Sequence, residues 1–282
     1  MKKKVYKNIK IIKVSNAIGA TIEGVELNKS LDKETISEIY DAFLRFKVIF
    51  FRNQNFTPES LLFFAKNIGK PIIYPFVQGL KNFPEITPIL KKKSDVYNFG
   101  GVWHSDTTYL KKPPKASMLY ALEVPKSGGD TEFSNQNLAY ESLSNGMKKV
   151  LLKLKAHYMS GKEEAAITRS DLRKHSSSGL KSDALEAIHP VIRTHPETKL
   201  KSLYINEAHT TQFEGMTKEE SVPLLNFLYK HQINSNFNCR FKWEKGSVAI
   251  WDNRCTMHNA INDYQGSRRL MYRVTFEGSA PF

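Results

Sequence analysis

Only two cysteines, Cys239 and Cys255, occur in the 282 residues. That is too few for a disulfide framework, so the chain reads as a protein of a reducing, cytoplasmic compartment. Long hydrophobic runs are missing as well. The purely apolar stretches are as short as VIFF at 48–51, against the roughly 20 residues that a membrane helix requires. The opening MKKKVYKNIKIIK carries the charge of a secretory leader, but Lys7, Lys10 and Lys13 break up any apolar segment behind it. Neither an internal repeat nor a linker divides the sequence, which reads as one domain over 1–282. Acidic residues are the scarcer charge: 28 Asp and Glu stand against 42 Lys and Arg, a net +14. Such an excess invites a nucleic-acid reading. Here, however, it is mostly Lys spread along the chain, with short runs at 2–4 and 91–93 and no basic stripe interleaved with aromatics. Attraction of small anions fits this distribution better than nucleic-acid binding.

What is present is core-forming material: 40% hydrophobic and 11% aromatic residues, which excludes a disordered chain. In LDKETISEIYDAFLRF, residues 31–46, Ile36, Ile39, Tyr40 and Phe43 recur at helical spacing. KVIFF at 47–51 follows as a short buried strand. TPESLLFFAKNIG at 57–69 reads as a helix with Thr57 as N-cap, Pro58 at its first position and Gly69 past its end. Thr217 and Glu220 form a capping-box pattern ahead of VPLLNFLYKH. Strands are expected at 116–124, 246–253 and 269–278. Without regular strand–helix alternation, the pattern favours an α+β, mainly β, fold in which an antiparallel double sheet is covered by helices. The polar, Ser-rich stretch 160–183 reads as an excursion, a lid over a site.

One motif carries chemistry. In GGVWHSDTTYL, residues 100–110, His104 and Asp106 stand two apart, which on a strand would put a nitrogen and an oxygen on the same face. Two ligands hold a metal poorly. Histidines also occur at 157, 175, 189, 195, 209, 231 and 258. Of these, His258 has the most suggestive setting, a few residues after GSVAIWDN and ahead of a strand carrying arginines. Two His and one carboxylate on one face of an octahedral ion leave three positions open, the arrangement of non-haem Fe(II) oxygenases.

The blocks WHSDTTYLKKPPKASMLYALEVPKSGGDTEFSNQNLAYESLS at 103–144 and WDNRCTMHNAINDYQGSRRLMYRVTF at 251–276 resemble the taurine dioxygenase (TauD/TfdA) family of Fe(II)- and 2-oxoglutarate-dependent dioxygenases. GATIEGVEL at 19–27, KVIFFRNQ at 47–54 and TPESLLFFAKNIG extend the likeness to nearly the whole chain. The resemblance implies a double-stranded β-helix (jelly-roll) core with flanking helices. It implies His104, Asp106 and His258 as the iron ligands, and Thr131 and Arg269 as the holders of the distal carboxylate of 2-oxoglutarate. A planar guanidinium suits that carboxylate because it forks onto both oxygens. Arg273, four residues on and on the same strand face, falls where the family meets the substrate's anionic group. Asp106 fills the place that related halogenases leave for a halide, which favours hydroxylation. The implied reaction consumes O2 and 2-oxoglutarate, hydroxylates a small organic anion (a sulfonate, sulfate ester or carboxylate) and releases succinate and carbon dioxide.

Tyr74, in GKPIIYP, stands where taurine-cleaving members carry a substrate-contacting histidine, which puts taurine itself in doubt. Asn98, Phe99 and His209 are further candidate pocket residues, and Gly100 and Gly101 leave room near the metal. Trp103, Trp251, Asp252, Asn253 and Arg254 read as scaffold, and Cys255 as a buried thiol. Homo-oligomers, dimers or tetramers, are implied by the resemblance. The competing readings are a nucleic-acid oxidative demethylase, motivated by the charge, and a non-catalytic metal-binding protein on the same fold. The second has no evident need for a co-substrate clamp such as Arg269.

Overall fold

A computed structural model describes residues 5–162 and 185–282. The excursion expected at 160–183 lies, apart from residues 160–162, outside the described residues. In chain order the first elements are β1 (Lys10–Lys13), β2 (Ala20–Glu23), α1 (Lys33–Phe46), β3 (Val48–Phe51), α2 (Pro58–Ala65), β4 (Pro71–Ile72) and β5 (Ile86–Lys91). There follow β6 (Ala116–Glu123), β7 (Thr131–Asn135), α3 (Gln136–Glu141), α4 (Asn145–Leu151), β8 (Lys155–Met159), β9 (Glu186–Pro190), β10 (Ile192–Thr194) and β11 (Lys201–Leu203). The described chain closes with β12 (Thr210–Phe213), α5 (Lys218–Gln232), β13 (Asn238–Phe241), β14 (Val248–Asp252), β15 (Thr256–Ala260) and β16 (Arg269–Phe276).

The helix ends follow local chemistry. Asp32 caps α1 by accepting from the Thr35 amide, Thr57 caps α2 with Ser60 returning the bond, and Thr217 and Glu220 form the full capping box of α5. The chain after Ala65 tightens into i→i+3 bonds at Asn67 and Ile68, so α2 stops short of the stretch expected to run to Gly69.

An eight-stranded sheet in the order β1-β2-β3-β14-β6-β16-β4, with β5 beside β16, packs against a three-stranded sheet β13-β7-β15. Strands within the large sheet pair antiparallel except β2 with β3. All four residues of VIFF are buried because the large sheet is covered on both faces. Val48 and Phe50 point into the sandwich with Phe133, Phe241, Trp251 and Met271, whereas Ile49 and Phe51 meet Phe43 of α1 and Phe64 of α2. Phe50 stacks on Phe241 at 4.0 Å and meets Phe133 edge-on at 5.6 Å, tying the two sheets together. On β16 the alternation puts Arg269, Met271 and Arg273 on the sandwich side and Val274 and Phe276 on the helix side. Two arginines of one strand, Arg269 at its start and Arg273 in its middle, therefore enter an aromatic interior. Among the described residues, no helix is long and apolar enough to cross a membrane.

Candidate active site

His104 and His258 are locked together by backbone. The His104 amide donates to the His258 carbonyl at 3.0 Å and the His258 amide returns the bond at 2.8 Å, an isolated antiparallel bridge. His258 sits in the middle of β15, opposite Phe133 of β7. His104 and Asp106 are not on a common strand, contrary to the simplest reading of their spacing. The chain turns immediately after the bridge, with Thr107 at φ 42°, and this turn folds the Asp106 carboxylate back over the imidazoles. The Asp106 Oδ1 lies 3.6 Å from His104 Nε2 and 3.9 Å from His258 Nε2. All three side chains are buried.

This donor set fits a divalent ion. Two donors about 2.1 Å from one centre lie about 3 Å apart at a right angle and about 4.2 Å apart when opposed, and the observed separations fall within that range. His104 Nδ1 lies 2.6 Å from the Val102 carbonyl, which fixes the proton there and leaves the Nε2 lone pair facing Asp106. Burial, reinforced by neighbouring His104, holds His258 well below the usual imidazole range, so it too offers a lone pair. Burial is the largest single influence on the Asp106 carboxyl and would raise it, but the Arg273 guanidinium and the two neighbouring imidazoles together outweigh it and hold the group well below the usual carboxylate range.

A small pocket opens beside His104 and His258, lined by Phe99, Gly100, Leu119, Trp243 and Arg269 among others. Arg269 is 5% exposed, and its Nε and Nη2 make no hydrogen bond among the described residues. A buried cation with spare donors is costly unless an anion arrives to meet it. Across the cavity, Thr131 Oγ1 accepts from the Trp243 indole at 2.9 Å, which leaves its own proton free to donate to a carboxylate. The guanidinium of Arg269 also lies 5.6 Å from the Trp243 ring. Thr131, Arg269 and the three ligand side chains are thus one constellation built from both sheets.

The candidate substrate residues are placed differently from one another. Arg273 Nη2 pairs with Asp106 Oδ2 at 2.9 Å, and its guanidinium lies 4.9 Å from the ring of buried Tyr74. His209 is fully buried, with Nδ1 2.9 Å from Thr108 Oγ1 and its ring 6.2 Å from that of His104. Asn98 instead donates to the carbonyls of Ala260 and Ile261 and is not among the cavity-lining residues. Phe99 and Gly100 line the cavity. At φ +83°, Gly100 brings its backbone so near that a Cβ would sit 3.0 Å from His104 Cε1. Gly101 packs instead on Asn98 Oδ1, 2.6 Å from where a Cβ would stand.

Arg254 forks onto Asp252 with two 2.7 Å bonds, and His195 joins Asp252 at 3.0 Å. Both residues anchor the turn before β15. His195, Asp252 and Cys255 also lie close enough together to suggest a metal. Both ring nitrogens of His195 are already engaged, however, Nδ1 by the Glu197 and Thr198 amides and Nε2 by Asp252, and burial pushes the Cys255 thiol up. This second cluster is scaffold. Sequence reasoning missed Trp243 and Ser117, both of which touch site residues.

Comparison with known proteins agrees with this architecture. The family model described as taurine catabolism dioxygenase TauD, TfdA family matches residues 10–275. The chain belongs to this family. An alpha-ketoglutarate-dependent sulfate ester dioxygenase of Pseudomonas putida is 34% identical over 273 residues, covering 95% of this chain and 89% of that protein. The crystal structure of a taurine dioxygenase from Burkholderia xenovorans superposes with a TM-score of 0.83 at 34% identity, covering 98% and 93% of the two chains. The crystal structure of AAD-2 in complex with Mn(II) and N-oxalylglycine superposes with a TM-score of 0.79 at 26% identity, covering 98% and 99% of the two chains. The jelly-roll sandwich described above is therefore the TauD fold.

Proposed function

We propose that this protein is an Fe(II)- and 2-oxoglutarate-dependent dioxygenase that hydroxylates a small organic anion, with His104, Asp106 and His258 as iron ligands. The observation that carries this reading is a set of three buried ligand atoms within 4.8 Å of one another, two of them on His104 and His258, which line one pocket with a buried Arg269 whose Nε and Nη2 are unpartnered among the described residues. Bound iron and 2-oxoglutarate supply the oxidising chemistry: dioxygen is consumed, 2-oxoglutarate leaves as succinate and carbon dioxide, and one oxygen atom reaches a substrate carbon. The chain supplies placement. Arg269 and Thr131 receive the far carboxylate of the co-substrate, and the aromatic walls exclude water around it.

Arg273 neutralises Asp106 through Nη2 while its Nε makes no hydrogen bond among the described residues, so the Nε donor is available to the substrate's anionic head. Tyr74 beneath the guanidinium replaces the ionisable histidine of taurine-cleaving members with an aromatic face. That substitution and the sulfate-ester relative favour alkyl sulfates and larger sulfonates over taurine. Hydroxylation at the carbon bearing the sulfate oxygen gives an unstable product that collapses to an aldehyde and sulfate. His209 shapes the wall next to His104. We further infer that residues 1–282 act as one catalytic unit. The two free cysteines suit a reducing cytoplasm, a homo-oligomer is the expected assembly, and free small anions rather than nucleic acid are the substrates.

Succinate formation under air, with Fe(II), 2-oxoglutarate and a panel of alkyl sulfates, sulfonates and carboxylates, tests this reading. Substrate-stimulated turnover should vanish in His104→Ala, Asp106→Ala and His258→Ala. Wild-type protein that binds metal but neither binds nor turns over 2-oxoglutarate would hand the fold to the non-catalytic metal-binding reading.

A further inference from the structure

Ser117 lies in β6 with its side chain in the sandwich interior, opposite Trp251 of β14 and Thr275 of β16, and it is fully buried. A hydroxyl in that aromatic interior needs partners, and it has three. Ser117 Oγ donates to Asp106 Oδ2 at 2.6 Å, and it accepts from Asn253 Nδ2 at 3.2 Å and from Arg273 Nη2 at 3.3 Å. Asn253 is fixed in turn, its Oδ1 accepting from the Trp251 indole at 2.9 Å and from the Asp106 amide at 3.4 Å.

These bonds divide the two oxygens of Asp106. Oδ2 is held by the Ser117 hydroxyl and Arg273, while Oδ1 alone faces the imidazoles of His104 and His258. We propose that Ser117 is the positioning residue that turns Asp106 into a one-oxygen metal ligand and ties its orientation to the cation reserved for the substrate. Arg273 by itself does not fix the carboxylate plane, because a long side chain with a free Nε can follow the carboxylate as it rotates. The short bond from a strand-anchored hydroxyl removes that freedom. A carboxylate that turned both oxygens to the ion would occupy a position the co-substrate or dioxygen needs. The proposal rests on the reading of Asp106 as a metal ligand.

The test is Mn(II) titration of the full-length, metal-free protein by calorimetry, without any organic ligand, for wild type, Asp106→Ala, Ser117→Ala and Ser117→Thr. Thermal unfolding of each metal-free form is followed alongside. Outer partners of metal ligands are worth about 10- to 100-fold in metal affinity. Ser117→Ala should therefore bind Mn(II) at least 10-fold more weakly while keeping its metal-free unfolding transition, and Ser117→Thr, which keeps the hydroxyl, should recover most of the affinity. Wild-type affinity in Ser117→Ala overturns the proposal, as does a Thr variant no better than Ala, which would assign the loss to packing. If Asp106→Ala binds Mn(II) like wild type, the ligand assignment itself falls, and that result is distinct from a failure at Ser117 alone.

Discussion

Replacing Arg269 with methionine should make the metal-free protein more stable while abolishing its response to 2-oxoglutarate. The guanidinium is buried, with Nε and Nη2 unpartnered, and each unsatisfied buried donor costs about 1–3 kcal/mol. Methionine keeps an apolar stem against Trp243 but gives up the cation–aromatic contact at 5.6 Å, worth about 0.5–2 kcal/mol. Taken at the middle of these ranges, the balance is a gain of about 3 kcal/mol, which in a chain of this size raises the melting temperature by several degrees. With co-substrate the sign reverses. Removing one partner of a buried charge pair costs about 2–5 kcal/mol, a loss of roughly 30-fold or more in affinity. At a 2-oxoglutarate concentration 100 times the wild-type Kd, ligand stabilisation is about 2.7 kcal/mol for wild type and about 0.9 kcal/mol or less for the variant. Thermal unfolding of both proteins, metal-free and then with saturating Mn(II) with and without 2-oxoglutarate, reads both effects. A variant that is less stable when metal-free and still shifts with 2-oxoglutarate would refute the assignment of Arg269 as an anion receptor waiting for its anion.

Gly100→Ala places a Cβ 3.0 Å from His104 Cε1 at a φ of +83°, so a loss of about 1–2 kcal/mol in stability and a weaker Mn(II) titration are expected; unchanged metal binding would show that the ring has room to move. Cys239, whose thiol burial pushes up to about 12, and buried Cys255, shifted the same way, should react with a thiol reagent at pH 8 only after denaturation; rapid labelling of either in the native protein would contradict the packing. For Asp252, burial alone would raise the carboxyl, but Arg254 and His195 hold it below the ordinary range. Its stabilisation is therefore complete above the unfolded carboxylate value near pH 4 and is lost as pH falls below it toward the folded value. Urea midpoints of the metal-free protein should drop between pH 5 and pH 3, and a flat profile would count against this network.

Much of the fold was readable because burial imposes a period. The stripe of Ile36, Ile39, Tyr40 and Phe43, the capping residues Thr57 and Thr217, and the unbroken VIFF each report a local rule that the tertiary structure leaves intact. Pairing was not readable. Nothing local tells β3 that it will lie between β2 and β14, or brings Phe133 of one sheet onto Phe50 of the other, because those contacts join residues far apart in sequence. At the site, His104, Asp106 and His258 were identified through their pattern, yet the reason they meet differs from the period-2 argument. A single backbone bridge and a turn with a positive φ at Thr107 do the work expected of a strand. Ser117 escaped notice because a serine in ASMLYALEV looks like any small strand residue until its register opposite Trp251 is known.

The unsatisfied groups of this interior explain why the site lies where it does. Phe50, Phe133 and Phe241 fill the sandwich with side chains that need no partners, and Trp251 satisfies its single donor on Asn253. Against that background, Nδ1 of His258, Nε and Nη2 of Arg269 and Nε of Arg273 stand out as buried polar atoms left open. They come from both sheets, His258 from β15 and the arginines from β16, so neither sheet alone could present them together. Each would be unfavourable in a core selected for stability alone, and Arg269 and Arg273 face a pocket that His104 and His258 also line. The cost of keeping two cations inside an aromatic sandwich is offset when anions occupy it. Occupancy by co-substrate and substrate should therefore stabilise the folded state as well as complete the site.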